Sequence, residues 1–204
     1  MVKNLIKKGI LYLYFNIYDK RVKLWIEAER LRRVRLTLKS AGCSFSIKSP
    51  YKFYNPQYVI IGNNFNASDR LKIEAIDDYN GQKFTPEILI GNNVTVISNC
   101  HIGCIDQISI GNNVLIASNV YISDHSHGEI SAEALNKSPI ERNLVSKGPV
   151  NIGDNVWIGE NVAILPGVTI GSNSIIGANS VVTGSIDANT VAAGNPAKLI
   201  KLLR

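Results

Sequence analysis

The amino-acid sequence predicts an all-β fold in which very short parallel strands wind into a coil, preceded by a helical segment. The first observation is a period of six residues near the C-terminus, where aliphatic side chains recur at Ile152, Ile158, Ile164, Ile170, Ile176 and Val182. A helix would repeat about every 3.6 residues and a single strand every two, so neither accounts for this spacing. Short internal repeats are typical of a solenoid, in which each turn buries its apolar face against the next.

The second observation is an asparagine at the fourth position of most hexads. These residues are Asn64, Asn93, Asn113, Asn119, Asn155, Asn161, Asn173 and Asn179. Asparagine and glycine tolerate a positive φ, which tight turns between short strands require. The register of the hexads slips between repeats, and those slips predict insertions at 77–87, 104–108 and 124–149. The pattern therefore predicts short strands joined by Asn/Gly corners, with a large loop at 124–149.

Charge divides the chain into segments. Residues 1–40 hold eleven Lys or Arg against three Asp or Glu, a net charge of +8, whereas the remaining residues have a net charge of −2. We predict a basic, aromatic, helical segment at 1–40, the coil at 41–190 and a C-terminal cap at 191–204. The run 10–18 is too short and too polar to span a bilayer. It also lacks a small-residue cleavage site, so no signal peptide is predicted.

The basic segment has two main interpretations. Over residues 20–39, apolar residues lie partly on one side of the predicted helix, at Val22, Trp25, Ile26, Leu31, Val34 and Leu38. Such a helix either packs with its charges facing water or lies on a membrane, where basic residues with Trp and Tyr suit anionic headgroups. The residues expected to pack are Leu11, Leu13, Phe15 and Ile26, and the aromatic residues suited to a membrane surface are Tyr12, Tyr14, Tyr18 and Trp25. Only charge favours nucleic acid, so that partner is not predicted.

The three cysteines do not form a recognisable framework. Cys100 falls at an inward hexad position and is expected in the core. Cys100 and Cys104 are too few for a zinc site, which usually takes four ligands at recognisable spacings. We therefore predict no metal and no disulfide. The absence of a disulfide pattern predicts a cytoplasmic protein. Peripheral contact with the inner face of the membrane is a further expectation.

The most specific stretch, 147–182, contains Ile-Gly-Asp-Asn-Val-Trp-Ile-Gly at 152–159 and Ile-Leu-Pro-Gly-Val-Thr-Ile-Gly at 164–171; Val-Ala-Ala-Gly-Asn-Pro-Ala-Lys follows at 191–198. The chain, over about residues 55–204, resembles the hexapeptide-repeat acyltransferases, in particular the galactoside, maltose and polysaccharide O-acetyltransferase branch. The resemblance implies a left-handed parallel β-helix, although parallel crossovers are generally right-handed. It also implies a homotrimer with active sites between subunits, and acetyl-CoA as the co-substrate.

A second group of residues matches the family's catalytic positions. The segment Ile-Ser-Asp-His-Ser-His-Gly at 122–128 follows a predicted strand, and His125 takes the place of the family's general base. Imidazole suits removal of a hydroxyl proton near neutral pH. By resemblance, the backbone N–H of Glu160 stabilises the oxyanion, and Trp157 lines the acceptor site. Asp124 could orient an imidazole, as acidic residues do in catalytic triads. Neighbouring residues of an extended segment point to opposite sides, so Asp124 is expected instead to reach the acceptor or a neighbouring subunit.

His127 is left with three roles: contact with the acceptor, no role, or that of base instead of His125. The galactoside branch has Pro where this chain has Ser126, which favours enzymes of surface-polysaccharide biosynthesis. The resemblance places the CoA donor along the C-terminal coils, with the contacts Gly159, Ala178, Thr183, Lys198 and Lys201. The lysines would meet its phosphates as point charges.

Four functions are compatible with these residues. The first is acetyl-CoA-dependent O-acetylation of a sugar hydroxyl, with His125 as general base. The second is N-acylation of a nucleotide-linked amino sugar, which needs the same scaffold and base. The third is a zinc lyase on the same scaffold, for which the only histidines are His101, His125 and His127 at unsuitable spacing. The fourth is a non-catalytic trimeric scaffold. The first is the prediction, because the histidine loop, Trp157 and the tail are all retained.

Overall fold

The structure is a computed structural model that describes residues 2–128 and 131–203, except the side chains of 2–8, 14–16, 19 and 133. The predicted aromatic positions Tyr14 and Phe15 therefore have side chains outside the described residues. The chain divides into two compact units, Met1–Leu36 and Thr37–Arg204.

The first unit is one long helix, α1, which spans Val2–Thr37. It lies within the helical segment predicted at 1–40 and includes residues N-terminal to the apolar pattern of 20–39. Most of its described large apolar side chains, among them Leu11, Tyr12 and Trp25, are exposed, whereas Leu31 is half-buried. Apolar residues are spread around the helix axis and not collected on one face. Among the described helices, none is both long and apolar enough to cross a membrane.

The second unit consists of short strands, mostly two to five residues long. In chain order they are β1 Ser40–Ala41, β2 Ser46–Ile47, β3 Tyr51–Tyr54, β4 Val59–Ile61, β5 Asn66–Ala67, β6 Leu71–Ala75, β7 Asp78–Tyr79, β8 Gln82–Lys83, β9 Glu87–Ile90, β10 Thr95–Val96, β11 His101–Cys104, β12 Gln107–Ile110, β13 Leu115–Ile116, β14 Tyr121–Ser123, β15 His125–His127, β16 Leu144–Ser146, β17 Val150–Ile152, β18 Trp157–Ile158, β19 Ala163–Ile164, β20 Thr169–Ile170, β21 Ile175–Ile176, β22 Val181–Val182, β23 Thr190–Gly194 and β24 Ala197–Leu202. Short 3-10 helices lie at Pro56–Tyr58, Glu133–Asn136 and Pro139–Glu141.

Three sheets form the faces of the coil. The first sheet has the order β1-β4-β9-β12-β17-β20, the second β2-β5-β10-β13-β18-β21-β23-β24, and the third β22-β19-β14-β11-β6-β3. Each complete turn contributes one strand to each face, and the pairing is parallel except between β23 and β24. The described residues thus form six complete coils, since the first and third sheets have six strands each. The predicted all-β fold of parallel strands is confirmed.

The core lies inside the coil and consists of the hexad aliphatics. The six residues of the C-terminal period, from Ile152 to Val182, are all buried. Each lies in register with an equivalent residue of an adjacent coil, as Ile158 does with Ile176. Cys100 is also buried, as its inward position predicted. Burial of one aliphatic side chain contributes about 1.5–3 kcal/mol, so the stacked column is a principal source of stability.

Asparagines form the corners. All eight predicted corner residues have a positive φ, including Asn119 at 60° and Asn161 at 57°. Their side chains also bond from coil to coil: Asn119 Nδ2 donates to Asn161 Oδ1 at 3.0 Å, and Asn161 Nδ2 donates to Asn179 Oδ1 at 3.0 Å. The asparagine therefore serves both the backbone conformation and the stacking of coils.

The insertions leave the coil between β6 and β9 and between β14 and β17. The first forms the β7–β8 hairpin, and the second carries β15 and β16, which pair antiparallel. At the C-terminal end, β24 turns back antiparallel on β23 and covers the edge of the second sheet.

Candidate active site

A large cavity lies where the third sheet adjoins the 124–149 loop. Strand β14 leads directly into β15, which places His125 and His127 at the rim of the coil. The cavity has a volume of about 1080 Å³ and is lined by Tyr121, His125, Ser126, His127, Gly128, Ser131, Ala134, Leu135, Arg142, Val145, Ser146, Lys147, Leu165, Pro166 and Thr183. The 124–149 loop therefore forms one wall of a site whose floor is the coil.

His125 is held in one tautomer. Its side chain is 10% exposed, and its Nδ1 lies 2.9 Å from Oδ1 of Asp124. A carboxylate oxygen only accepts hydrogen bonds, so Nδ1 must carry the proton. Nε2 is then unprotonated and available as a base. Ser123 Oγ also lies 3.2 Å from the same Nδ1 and donates its own proton to the carbonyl oxygen of His125.

The expectation that Asp124 reaches the acceptor is wrong. Its side chain is fully buried and accepts hydrogen bonds from the backbone amides of Ile105 (3.0 Å) and Asp106 (2.8 Å), in addition to the imidazole of His125. Alternation along an extended strand fails here because β14 ends at Ser123 and the chain turns. Burial and the Asp124 carboxylate raise the pKa of the Cys104 thiol, which stays protonated and donates to Oδ2 at 3.2 Å.

His127 contacts Tyr79, which lies in the predicted insertion 77–87. The Tyr79 hydroxyl donates to the carbonyl oxygen of Ile140 at 2.7 Å, so only its lone pairs face His127 Nδ1 at 3.3 Å. Nδ1 must then be the protonated nitrogen, and Nε2 of His127 is left as an acceptor. The two rings also meet edge-on with centroids 5.4 Å apart.

His101 lies on the third sheet beside His125. Its Nε2 is 2.6 Å from Oε2 of Glu74, which also pairs with Lys72 at 2.7 Å. Burial lowers the pKa of His101, and Glu74 offsets this only in part. Burial acts to raise the pKa of Glu74, but the hydrogen bonds from Lys72 and His101 outweigh it and lower that pKa. The group is therefore a neutral imidazole donating to an ionised carboxylate near neutral pH.

Gly103 separates the two imidazoles. A Cβ at this position would lie 3.3 Å from Cε1 of His125 and 3.7 Å from Nε2 of His101. The missing side chain thus leaves room for the His125 ring against the sheet. The hexad pattern contains many glycines, so it did not distinguish this one.

The other predicted catalytic residues lie on different parts of the coil. Trp157 is half exposed on the second sheet, and Glu160 follows it at the corner that leads to the third sheet. Within the described residues, the Glu160 amide donates no hydrogen bond, and neither does the amide of Ala178 at the same corner one coil later. The described lining of the His125 cavity includes neither Trp157 nor Glu160.

The residues predicted to bind the CoA donor also lie on different parts of the coil. Ala178 is exposed at the corner, and Lys198 and Lys201 are exposed on β24 of the second sheet. Thr183 instead lines the His125 cavity. Gly159 has a structural reason of its own, because a Cβ there would lie 2.7 Å from the backbone N of Ala178.

The three histidines each bond a different group: Glu74, Asp124 or Tyr79. Within the described ranges, three or more His, Cys, Asp or Glu side chains do not come together as a candidate metal site.

Two comparisons of the sequence identify the family. The family model for bacterial transferase hexapeptide (six repeats) matches residues 149–184. A relative from Escherichia coli (strain K12), provisionally named a lipopolysaccharide biosynthesis O-acetyl transferase, WbbJ, is 41% identical over 159 residues, which cover 76% of this chain and 77% of the relative. The chain belongs to the hexapeptide-repeat acyltransferase family. It is accordingly an acyltransferase and a left-handed parallel β-helix, as the resemblance implied.

Solved structures of hexapeptide-repeat acyltransferases agree with the coil. A maltose O-acetyltransferase from Clostridium difficile 630 matches with a TM-score of 0.57 and 33% identity, over 84% of this chain and 73% of that chain. A galactoside acetyltransferase in complex with coenzyme A matches with a TM-score of 0.54 and 33% identity, over 84% of this chain and 68% of that chain. The structural likeness therefore extends well beyond residues 149–184.

Proposed function

We propose that this acyltransferase transfers the acetyl group of acetyl-CoA to a saccharide hydroxyl in the biosynthesis of a surface polysaccharide. The observation that carries the proposal is His125, whose Nδ1–H is fixed by a buried carboxylate and whose Nε2 is free at the rim of a large cavity. The names of the relatives support an O-acetyl product, and the complex of one of them with coenzyme A supports the donor.

The reaction needs one base that later acts as an acid. Nε2 of His125 removes the proton of the acceptor hydroxyl as its oxygen attacks the thioester carbon. The C–S bond then breaks, and the imidazolium returns the proton to the leaving thiolate, which gives the O-acetyl sugar and CoA. Asp124 holds the ring in the productive tautomer and stabilises the imidazolium.

The oxyanion donor and part of the pocket come from a second subunit. In one chain, His125 lies on β15, directly after β14 of the third sheet, whereas Trp157 lies on the second sheet and Glu160 at the corner after it. A homotrimer in which the second-sheet side of one copy meets the His125 loop of the next would complete three sites by one heterologous contact. The unpaired amide of Glu160 would then face the tetrahedral intermediate.

In the same arrangement, CoA and the acceptor would occupy different parts of the site. CoA would run along the C-terminal coils, past Gly159, Ala178 and Thr183, with its phosphates near Lys198 and Lys201. The acceptor would lie against Trp157 and His127, whose Nε2 is an acceptor for a sugar hydroxyl. The basic helix α1 would bring the enzyme to the cytoplasmic face of the membrane.

The base is tested by His125→Ala, compared with His127→Ala and with the exposed, remote Gln57→Ala. Release of free CoA from acetyl-CoA in the presence of saccharides is measured, together with acetyl-CoA binding by calorimetry. We expect His125→Ala to lose about 10²- to 10⁴-fold in kcat, with acetyl-CoA affinity changed by less than about fivefold. A larger loss in His127→Ala would assign the base to His127, and absence of acetyl-CoA binding in the unmodified protein would leave a non-catalytic scaffold.

The bond formed distinguishes the two transferase chemistries. An acetyl ester is cleaved by mild alkali or hydroxylamine, whereas an acetamide resists both. If amino sugars are the only acceptors used and the product resists hydroxylamine, the enzyme is an N-acyltransferase.

The division of the site between subunits is tested by co-assembly of two inactive variants. His125→Ala is defective in the third-sheet half and Trp157→Ala in the second-sheet half. Random mixing in equal amounts would restore about a quarter of all sites, all of them in hetero-trimers, so activity should reappear on mixing after dissociation and reassembly. A site contained within one chain would give no recovery.

A further inference from the structure

A second cavity lies on the third sheet, on the N-terminal side of His125. It has a volume of about 380 Å³ and is lined by Pro50, Tyr51, Lys52, Arg70, Leu71, Lys72, Asn99, Cys100 and His101. The ionisable lining groups are thus three cations, one histidine, a tyrosine and a cysteine, with no carboxylate. The sheet sets their spacing, because Lys52 pairs with Lys72 and Lys72 with His101 across adjacent strands.

This cavity adjoins the candidate active site. His101 lines it, and the His101 ring meets Tyr121 of the larger cavity edge-on with centroids 5.4 Å apart. Gly103 would place a Cβ within 4 Å of both His101 and His125. A ligand whose reacting hydroxyl lies at His125 could therefore continue over His101 towards β6 and β3 without leaving the sheet.

The charge of the second cavity is only partly neutralised. Lys72 pairs with Glu74 at 2.7 Å and Arg70 with Asp69 at 2.7 Å. Lys52 is exposed, and within the described residues its side chain makes no hydrogen bond or ion pair. The two carboxylates thus leave at least one cation unpaired. The pKa of Glu74 is lowered, so Glu74 remains a carboxylate near neutral pH and holds Lys72 and His101 at the cavity wall.

We infer that this second cavity is a subsite for a phosphate or diphosphate at the anomeric carbon of the acceptor sugar. Lys52, Lys72 and Arg70 would contact the phosphate oxygens, and His101 would lie beneath the sugar. The inference rests on the proposed function and narrows its acceptor class to sugars carried on a diphosphate. Such a sugar is attached either to a nucleoside or to a polyprenyl lipid, and the recognition chemistry is the same for both.

The spacing along the sheet fits this class. Lys52 lies two strands from His101, which is roughly 10 Å at the usual strand separation. That separation accommodates the phosphate of a sugar whose hydroxyl is at His125. The proposed donor contacts lie in the opposite direction, on the C-terminal coils, so the two phosphorylated substrates would not compete for the same lysines. Arginine adds bidentate geometry to the point charges of the lysines.

The test uses the full-length protein and one set of sugars in several forms. Glucose, galactose and N-acetylglucosamine are each supplied as the methyl glycoside, the uridine diphosphate derivative and a farnesyl diphosphate derivative. We expect kcat/KM to be at least roughly tenfold higher for the diphosphates than for the methyl glycosides, since charge-assisted hydrogen bonds are the stronger ones. Preference between the last two forms identifies the carrier.

Lys52→Met probes the subsite, and Lys39→Met is its control. Lys39 is also an exposed lysine, but it precedes the first sheet and pairs with Glu87. Lys52→Met should raise KM for the diphosphate acceptors by roughly five- to tenfold, with kcat and the KM of the methyl glycosides unchanged. The inference would be overturned if the unmodified enzyme used the methyl glycosides as well as the diphosphate acceptors. It would also be overturned if Lys52→Met changed KM equally for the methyl glycosides and for the diphosphate acceptors.

Pyrophosphate gives a readout that does not depend on turnover. Binding of inorganic pyrophosphate is measured by calorimetry with the donor site saturated with CoA. We expect binding that Lys52→Met weakens and Lys39→Met leaves unchanged. If no acetyl transfer to any acceptor occurs but pyrophosphate binds in this way, the proposed function fails and the anion subsite stands. If transfer occurs and pyrophosphate does not bind, the subsite fails and the proposed function stands.

Discussion

At the scale of single residues, the carboxylate of Asp124 links the backbone of the coil to the proposed catalytic base, His125. It accepts from the backbone amides of Ile105 and Asp106 and from the Cys104 thiol, so three donors fix its position. The same carboxylate fixes the tautomer of His125. Because the buried carboxylate is fixed by these hydrogen bonds, it also fixes the orientation of the imidazole ring.

Asp124→Asn should therefore disable the base without removing the site. The amide oxygen can still accept from the backbone amides, but the NH₂ group then faces Nδ1–H of His125. The ring escapes this repulsion by moving its proton to Nε2, where it can no longer accept one. We expect kcat to fall by about 10²- to 10⁴-fold, with KM for acetyl-CoA changed by less than about fivefold.

The matched control for this prediction is Asp106→Asn, because Asp106 is exposed and contacts Asp124 through its backbone amide. Steady-state kinetics and thermal melting of both variants separate catalysis from folding. Equal activity of the two variants, with both folded, would contradict the role given to Asp124.

At the scale of elements, the β7–β8 hairpin fastens the 124–149 loop. Gln82 donates to the carbonyl oxygen of Leu144 (3.1 Å) and accepts from its amide (3.0 Å). Tyr79 and Asn80 both donate to the carbonyl oxygen of Ile140, at 2.7 and 2.9 Å. Two insertions that are far apart in sequence thus form one wall, and the hairpin orients His127.

Tyr79→Phe removes the hydroxyl and keeps the ring. Asn80 still holds Ile140, so the loop should stay in place while His127 loses the partner that fixes its tautomer. We expect KM for the acceptor to rise by roughly three- to tenfold, since one hydrogen bond contributes about 0.5–1.5 kcal/mol, with little change in kcat or in acetyl-CoA binding.

A double-mutant cycle tests whether Tyr79 acts through His127. In a His127→Ala background, Tyr79→Phe should have almost no further effect. Asp78→Asn is the control, because it breaks the exposed ion pair with Lys83 in the same hairpin. Additive effects of the two variants would show that Tyr79 acts independently of His127.

The corners between strands allow a stability test. Asn161 has φ 57° and bonds to the asparagines of both adjacent coils. Asn161→Ala and Asn161→Gly both lose those side-chain bonds, but only alanine is strained at this φ. We expect the alanine variant to be less stable than the glycine variant by about 1 kcal/mol. Guanidinium unfolding at one fixed protein concentration measures this difference. A more stable alanine variant would show that the corner does not require a left-handed backbone.

At the scale of the whole molecule, features that follow the six-residue period could be predicted from the sequence, whereas the contacts of the site residues could not. Buried Ile158 and left-handed Asn161 were predictable because each belongs to a pattern that recurs in several coils. Asp124, Tyr79 and Gly103 were not assigned their contacts, because those contacts join segments that break the period. The six-residue period also could not predict the left-handed coil, because parallel crossovers are usually right-handed.

The helix α1 raises the remaining question at this scale. Its large exposed apolar residues are spread around the axis, so it does not present one wide apolar face to a lipid surface. Attraction to a membrane would then depend mainly on charge, at about 1 kcal/mol for each basic residue near an anionic surface. The alternative is that the helix packs against protein and its charges face water.

Vesicle co-sedimentation of the full-length protein decides between these alternatives. We expect pelleting with vesicles of phosphatidylcholine and phosphatidylglycerol but not of phosphatidylcholine alone, and a decrease with added salt, because charges are screened beyond about 10 Å at 0.1 M. Replacement of Lys20, Arg21 and Lys23 by Gln should lower partitioning more than roughly tenfold. The same loss of charge at Lys39, Lys83 and Lys137 should change it little. Equal pelleting with both lipids, or none with either, would make α1 a packing element.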